Sequence, residues 1–142
     1  MSGETKSVLN SIGILPDTSA WIDFFRGNNS KAANFLTESI QSDSSIFITG
    51  LIVTEILRGC TNERQSLKVL SSLRAFPFIE PIYPKTYIDA ASLYRTARTK
   101  GLTIRSTVDC IIAALAIEHN IAVLHSDRDY KAIAKISKLQ EV

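Results

Sequence analysis

Residues 106–130, STVDCIIAALAIEHNIAVLHSDRDY, contain a helix, a buried strand and the start of a second helix in direct succession. Ser106 is a helix-opening residue, and Ile112, Ala113 and Ala116 recur at helical spacing after Asp109. The helix exits near Asn120 straight into the apolar run IAVLH, too short for a helix and bounded by polar residues. Such a unit belongs to a parallel sheet covered by helices.

The chain outside this unit follows the same alternation. Upstream, IGIL predicts a strand, with a helix over about 19–26 closed by Gly27 and another within SKAANFLTESIQSD. SIFIT predicts a second strand, GLIVTEILRG a helix stopped at Gly59, and about 63–74 a further helix. Pro77, Pro81 and Pro84 bracket an extended FIEPIY, and Pro84 stands where the next helix can begin, with Gly101 as its stop. DYKAIAKI is a last helix and KLQEV an edge strand. The expected fold is an α/β class, three-layer α/β/α sandwich with a central, mostly parallel sheet. Residues 1–10 are polar and aperiodic and are expected to form a flexible extension before a single domain over 11–142.

Composition narrows the function classes. With 142 residues, 45% of them hydrophobic and 21% charged, the chain can bury roughly two thirds of its unfolded surface as one domain. No apolar stretch reaches the roughly 18 residues needed to cross a bilayer, and the N-terminus lacks a signal-peptide layout, so a cytoplasmic protein with no membrane partner is expected. Cys60 and Cys110 stand apart without a CxxC or a nearby His, which argues for buried thiols over a disulfide or zinc site. The net charge of +2 is uninformative, but Lys85, Arg95, Arg98, Lys100 and Arg105 make a locally basic run. A solvated helix face accounts for it as well as phosphate binding does.

Four acids fall where chemistry gathers in a parallel sheet, beyond the carboxyl ends of strands. Asp17 follows IGIL and Asp127 follows IAVLH, though DTS also makes Asp17 a good helix cap. Glu55 projects beside Ile52 on the apolar side of its helix, and Asp109 joins the stripe of Ile112, Ala113 and Ala116. Ser106 and Asp109 also have the spacing of a capping box. No basic residue at helical spacing stands on the inner side to neutralise Glu55 or Asp109. If the four converge, each pair of charges about 4 Å apart repels by on the order of 4 kcal/mol at an effective dielectric of about 20. A divalent cation relieves this, and all-oxygen ligands favour Mg²⁺ or Mn²⁺. Asp129 is open to three roles: a further ligand, a support for the ligands or a helix cap.

The stretches DTSAWIDFFRG, TEILRG and STVDCIIAALAIEHNIAVLHSDRDY, with acids in the order Asp, Glu, Asp, Asp, resemble PIN-domain ribonucleases of the VapC toxin family from Ile14 to the C-terminus. The resemblance implies a metal-dependent endoribonuclease, the toxin of a toxin–antitoxin pair, leaving 5′-phosphate and 3′-hydroxyl ends. By it Asp17, Glu55, Asp109 and Asp127 take the catalytic positions, with Asp17, Asp109 and Asp127 holding the metal. Ser19 is the small hydroxyl residue near the metal and Asp129 the accessory acid. Tyr130 stands where Phe is more usual and the N-terminal extension is long; neither departure is expected to touch the chemistry.

An acidic site repels RNA unless cations nearby attract its backbone, so Arg95, Arg98, Lys100 and Arg105 become candidate RNA contacts, with Tyr83, Tyr87 and Tyr94 as stacking candidates. His119 and His125 are expected to be structural. Core packing is the default account of the apolar helices around AWIDFF and 56–73; the resemblance implies instead a homodimer and a cognate antitoxin, with Trp21 and Phe25 as candidate contacts. A haloacid-dehalogenase-like phosphatase needs an Asp where Ser19 stands, and a phosphoacceptor receiver needs a Lys after its last core strand. A non-catalytic RNA-binding or partner-binding scaffold remains the alternative.

Overall fold

The computed structural model describes residues 12–142. The expected extension over 1–10 and the expected domain start at Ser11 lie outside the described residues. Strand β1 (Ile14–Pro16) is fully buried and pairs in parallel with β2 (Ala122–Leu124), Ile14 opposite Ala122. On the other side of β2 lies β3 (Gln140–Glu141), also parallel, the edge strand expected from KLQEV. Two further segments extend the sheet by single parallel bridges, Ile14 with Ile46 and Ile48 with Phe78. The spatial order is therefore 78, 46–48, β1, β2, β3.

SIFIT and FIEPIY were expected as longer extended segments, and the structure reduces them to these bridges. Ile48 donates to Pro77 O and Ile79 to Ile48 O, but Pro77 and Pro81 have no N–H with which to continue a ladder. The turn into β1 needs Gly13. Its φ is +82°, and a Cβ there would lie 2.8 Å from the Phe47 ring.

Seven helices complete the described chain: α1 (Thr18–Arg26), α2 (Lys31–Gln41), α3 (Gly50–Arg58), α4 (Glu63–Leu73), α5 (Lys85–Thr99), α6 (Thr107–His119) and α7 (Arg128–Ile136). Their ends follow local chemistry. Asp17, Ser30, Asn62, Ser106 and Asp127 each accept a backbone N–H as N-cap, while Gly27 and Asn120 close α1 and α6 with positive φ. Helix α6 is apolar on nearly every side and buries Cys110 and Ile112 through Ala116. None of the described helices is long and apolar enough to cross a membrane.

The helices divide into two groups. Helix α1 packs on α2 and α3, and α3 on α4; α5 packs on α6 and α7, and α6 on α7. Right-handed crossovers that run first to one side of β1 and then to the other put these groups on opposite faces of the sheet, giving the three-layer sandwich. The reversal of strand order falls between β1 and β2, where an open α/β sheet forms its crevice.

One expected surface contact is core. Trp21 is 0% exposed, packed against Phe24, Phe25 and Phe76. Its position in α1 points it under the sheet, so it cannot touch a partner of the folded chain. Phe25 is half-buried on its outer side.

Candidate active site

The sheet reversal brings Asp17, Glu55, Asp109 and Asp127 to the wall of one cleft of about 680 Å³. Asp17 leaves β1 with its backbone N–H bonded to Leu124 O at 3.0 Å, so β2 sets its position as much as β1 does. Its Oδ1 accepts from Ser19 Oγ at 2.7 Å and from Ala20 N–H at 3.1 Å. The cap and the site residue are the same carboxylate. Glu55 reaches across from α3, its Oε1 accepting from Thr18 Oγ1 at 2.9 Å. Asp109 stands in the first turn of α6, its N–H bonded to Ser106 Oγ at 3.3 Å.

Asp127, and not Asp129, caps α7: the Asp129 N–H donates to Asp127 Oδ1 at 2.9 Å. Asp129 is 2% exposed. Its Oδ2 accepts backbone N–H groups from Arg105 at 3.1 Å and Ser106 at 3.2 Å, which ties α7 to the entrance of α6. Its Oδ1 has no hydrogen-bond donor. Carboxylate oxygens of Asp109, Asp127 and Asp129 lie within 4.8 Å of one another.

Burial raises the pKa of Asp17, with Ser19 and Ala20 pulling it back and Asp127 adding to the rise. Asp109 is pushed up to about 7, first by burial and then by the charges of Asp127, Asp129 and Asp17, against the Tyr130 hydrogen bond. In both, burial and neighbouring charge outweigh the hydrogen bonds that favour the anion. The donors are oxygens only, and one buried carboxylate oxygen lacks a donor, a set that fits a hard divalent cation such as Mg²⁺ or Mn²⁺ and does not suit zinc.

Two side chains behave otherwise than expected from the sequence. The Tyr130 hydroxyl donates to Asp109 Oδ1 at 3.2 Å and lines the cleft, so this departure from Phe does touch the acids. Burial and the neighbouring acids raise its pKa, keeping it a donor. Tyr130→Phe is expected to leave the fold intact and weaken Mn²⁺ binding about tenfold, because Asp109, a candidate ligand, would lose its orienting bond; unchanged affinity in calorimetry would remove that role. Arg105 is not a free RNA contact: it pairs with Asp127, Nη2 to Oδ1 3.4 Å, and approaches Asp129, Nε to Oδ1 3.5 Å. Arg95, Arg98 and Lys100 do lie exposed at the end of α5, Arg98 over the Tyr94 ring, whereas Lys85 pairs with Asp89 and Glu118.

His125 supports the site from behind. Its Nδ1 accepts the Asp127 N–H at 3.0 Å, so Nε2 carries the proton and donates to Glu141 Oε2 at 2.7 Å. Thr18 and His125 were not legible as site residues, since hydroxyl and imidazole beside an acid become informative only when the elements meet.

A family model described as PIN domain matches residues 14–136, and the chain belongs to the PIN-domain family. Ribonuclease VapC11 of Mycobacterium tuberculosis is 36% identical over 128 residues, covering 89% of this chain and 96% of that protein, and VapC ribonuclease Mb1587 of Mycobacterium bovis matches equally. Within the family the chain belongs to the VapC group. The fold is also that of VapBC2 from Rickettsia felis, solved bound to a DNA fragment from its promoter: TM-score 0.70, 20% identity, 91% of this chain and 96% of that one covered.

Proposed function

We propose that the chain is a metal-dependent endoribonuclease acting as the toxin of a toxin–antitoxin pair in the cytoplasm. The observation that carries this is the meeting of Asp17, Glu55, Asp109 and Asp127 in one cleft at the sheet reversal, in a chain 36% identical to VapC ribonucleases. Asp17, Asp109 and Asp127 are the residues to hold Mg²⁺ or Mn²⁺. Such a cation, when bound, supplies an acidified water and polarises a phosphoryl oxygen.

The protein's own groups do the rest. Ser19 and the Ala20 N–H fix the Asp17 carboxylate, and Tyr130 fixes Asp109. Asp129 locks the 105–106 backbone from which α6 starts, so Asp109 enters the cleft at a set angle. Glu55, oriented by Thr18 and without a basic partner among the described residues, orients the attacking water and accepts its proton. Cleavage leaves a 5′ phosphate and a 3′ hydroxyl. Arg95, Arg98 and Lys100 attract the backbone of single-stranded or looped RNA.

Proteins of similar fold include VapBC2 of Rickettsia felis, VapBC-1 of Haemophilus influenzae and a toxin–antitoxin complex of Klebsiella pneumoniae, and we take an antitoxin as this chain's partner also, bringing a cation to the acids. A homodimer suits the half-buried Phe25 and the exposed Leu67 on α4. The test is induced expression of wild type and Asp17→Asn, each with and without the adjacent open reading frame, followed by mapping of RNA 5′ ends. Growth arrest with discrete new 5′-phosphate ends, lost in Asp17→Asn and suppressed by the neighbour, is expected. Equal behaviour of the two proteins would leave only a binding scaffold.

A further inference from the structure

Among the described residues, Arg105 is the only cation in an ion pair with the acids of the cleft, and it pairs with two of the three carboxylates whose oxygens cluster within 4.8 Å. Its guanidinium lies 3.4 Å from Asp127 and 3.5 Å from Asp129, and the second contact reaches the buried Oδ1 that has no hydrogen-bond donor. We propose that Arg105 is a built-in stand-in for the divalent cation: in the metal-free chain it neutralises Asp127 and Asp129, and metal binding must displace it. This rests on the metal-dependent reading given above.

Two features make the displacement feasible. The side chain is 55% exposed and held at distances longer than a good charge-assisted hydrogen bond, so charge attraction retains it more than directed bonding does. Its backbone is fixed separately, because the Arg105 N–H donates to Asp129 Oδ2. The guanidinium can therefore leave while the loop that seats Asp109 stays in place. An exposed pair of this kind favours its closed form only a few-fold, which a doubly charged ion shared by three carboxylates overcomes.

The consequence is a coupling of sign and order. Arg105 lowers the affinity of the resting site for metal, and once displaced its charge stands free at the rim, where the nearest strong anion is a phosphate of bound RNA. Metal and RNA then favour each other, since each takes one partner of the same ion pair. Arg105 thereby keeps the role of RNA contact expected from the sequence, but only in the metal-loaded state.

Calorimetric titration of the full chain with Mn²⁺, without RNA, tests this directly. Arg105→Gln is expected to bind Mn²⁺ roughly 3- to 5-fold more tightly than wild type, and to show a raised KM for RNA. Arg128→Gln is the control, since Arg128 lines the same cleft but pairs with none of its acids; it is expected to change Mn²⁺ affinity less than about twofold. Arg105→Lys, which keeps the charge and loses the fork, is expected to fall between wild type and Arg105→Gln. Unchanged or weaker binding by Arg105→Gln would overturn the proposal, as would an equal gain in Arg128→Gln, which would show a general field and no specific contact. Absence of Mn²⁺ binding in every protein would overturn the metal-dependent reading itself, and the stand-in with it.

Discussion

Asp109→Asn is expected to abolish RNA cleavage, by about 10³-fold or more, and yet to raise the melting temperature of the metal-free protein at pH 8. The loss follows from removing one of the three carboxylates to which the proposed function assigns the cation. The gain follows from the pKa of about 7, set by burial and the neighbouring acids. Between about pH 4 and 7 the folded chain keeps a proton on Asp109 that the unfolded chain releases, so stability falls as pH rises through this window. Above pH 7 the penalty is fully present. Asn carries no such charge, so the two proteins melt together near pH 4 and part as pH rises. After discounting a partly exposed group for solvent screening, the difference is on the order of 2 kcal/mol, or about 4–8 °C in a chain of this size. Mg²⁺ is expected to raise the wild-type melting temperature at pH 8 and leave the variant unmoved. Scanning calorimetry at pH 5 and pH 8, with Mg²⁺ and with EDTA, measures all of this. A variant less stable than wild type at pH 8 without metal would show that Asp109 is not strained by its neighbours.

Trp21→Ala is expected to cost about 3–5 kcal/mol in urea unfolding, a large share of the roughly 5–15 kcal/mol available to a domain. The indole is wholly buried, stacked on Phe25 at 5.9 Å and packed on Phe24 and Phe76. Phe25→Ala, at a half-buried position, is expected to cost less and to act mainly on partner binding. An unchanged urea midpoint in Trp21→Ala would overturn the assignment of the indole to the core.

The features legible in the sequence are those written in local chemistry. β1 and β2 are short apolar runs bounded by turn residues, and the caps at Asp17 and Ser106 sit before periodic segments, whereas the cap of α7 falls on Asp127 and not on Asp129. The four acids stood out because two follow strands and two interrupt apolar helix faces. What remained hidden depends on which faces meet. Trp21 and Phe25 form an i, i+4 pair that reads the same whether it faces a partner or the core, and only the fold of α1 against Phe76 decides. Arg105 belongs to a basic run by sequence, but the bond from its backbone to Asp129 turns it toward the acids. Tyr130 differs from Phe by one hydroxyl, whose meaning depends on Asp109, far away in the chain. SIFIT reads as a strand yet makes only single bridges at Ile46 and Ile48, because apolar content marks burial, while ladder length depends on prolines and on the partner's register.

The hydrogen bond from Asp17 N–H to Leu124 O has a consequence for the order of events during synthesis. Asp17 leaves the ribosome early, but the strand that seats it and the acids that complete the cleft lie near the other end of the chain, at Leu124, Asp127 and Asp129. A nascent chain therefore carries Asp17, Glu55 and Asp109 without an arrangement able to cut. The nuclease activity proposed for the chain would therefore be absent until synthesis has passed Asp127 and the last helices have docked. On that proposal, harmlessness during translation is a property of the strand order itself, independent of any partner.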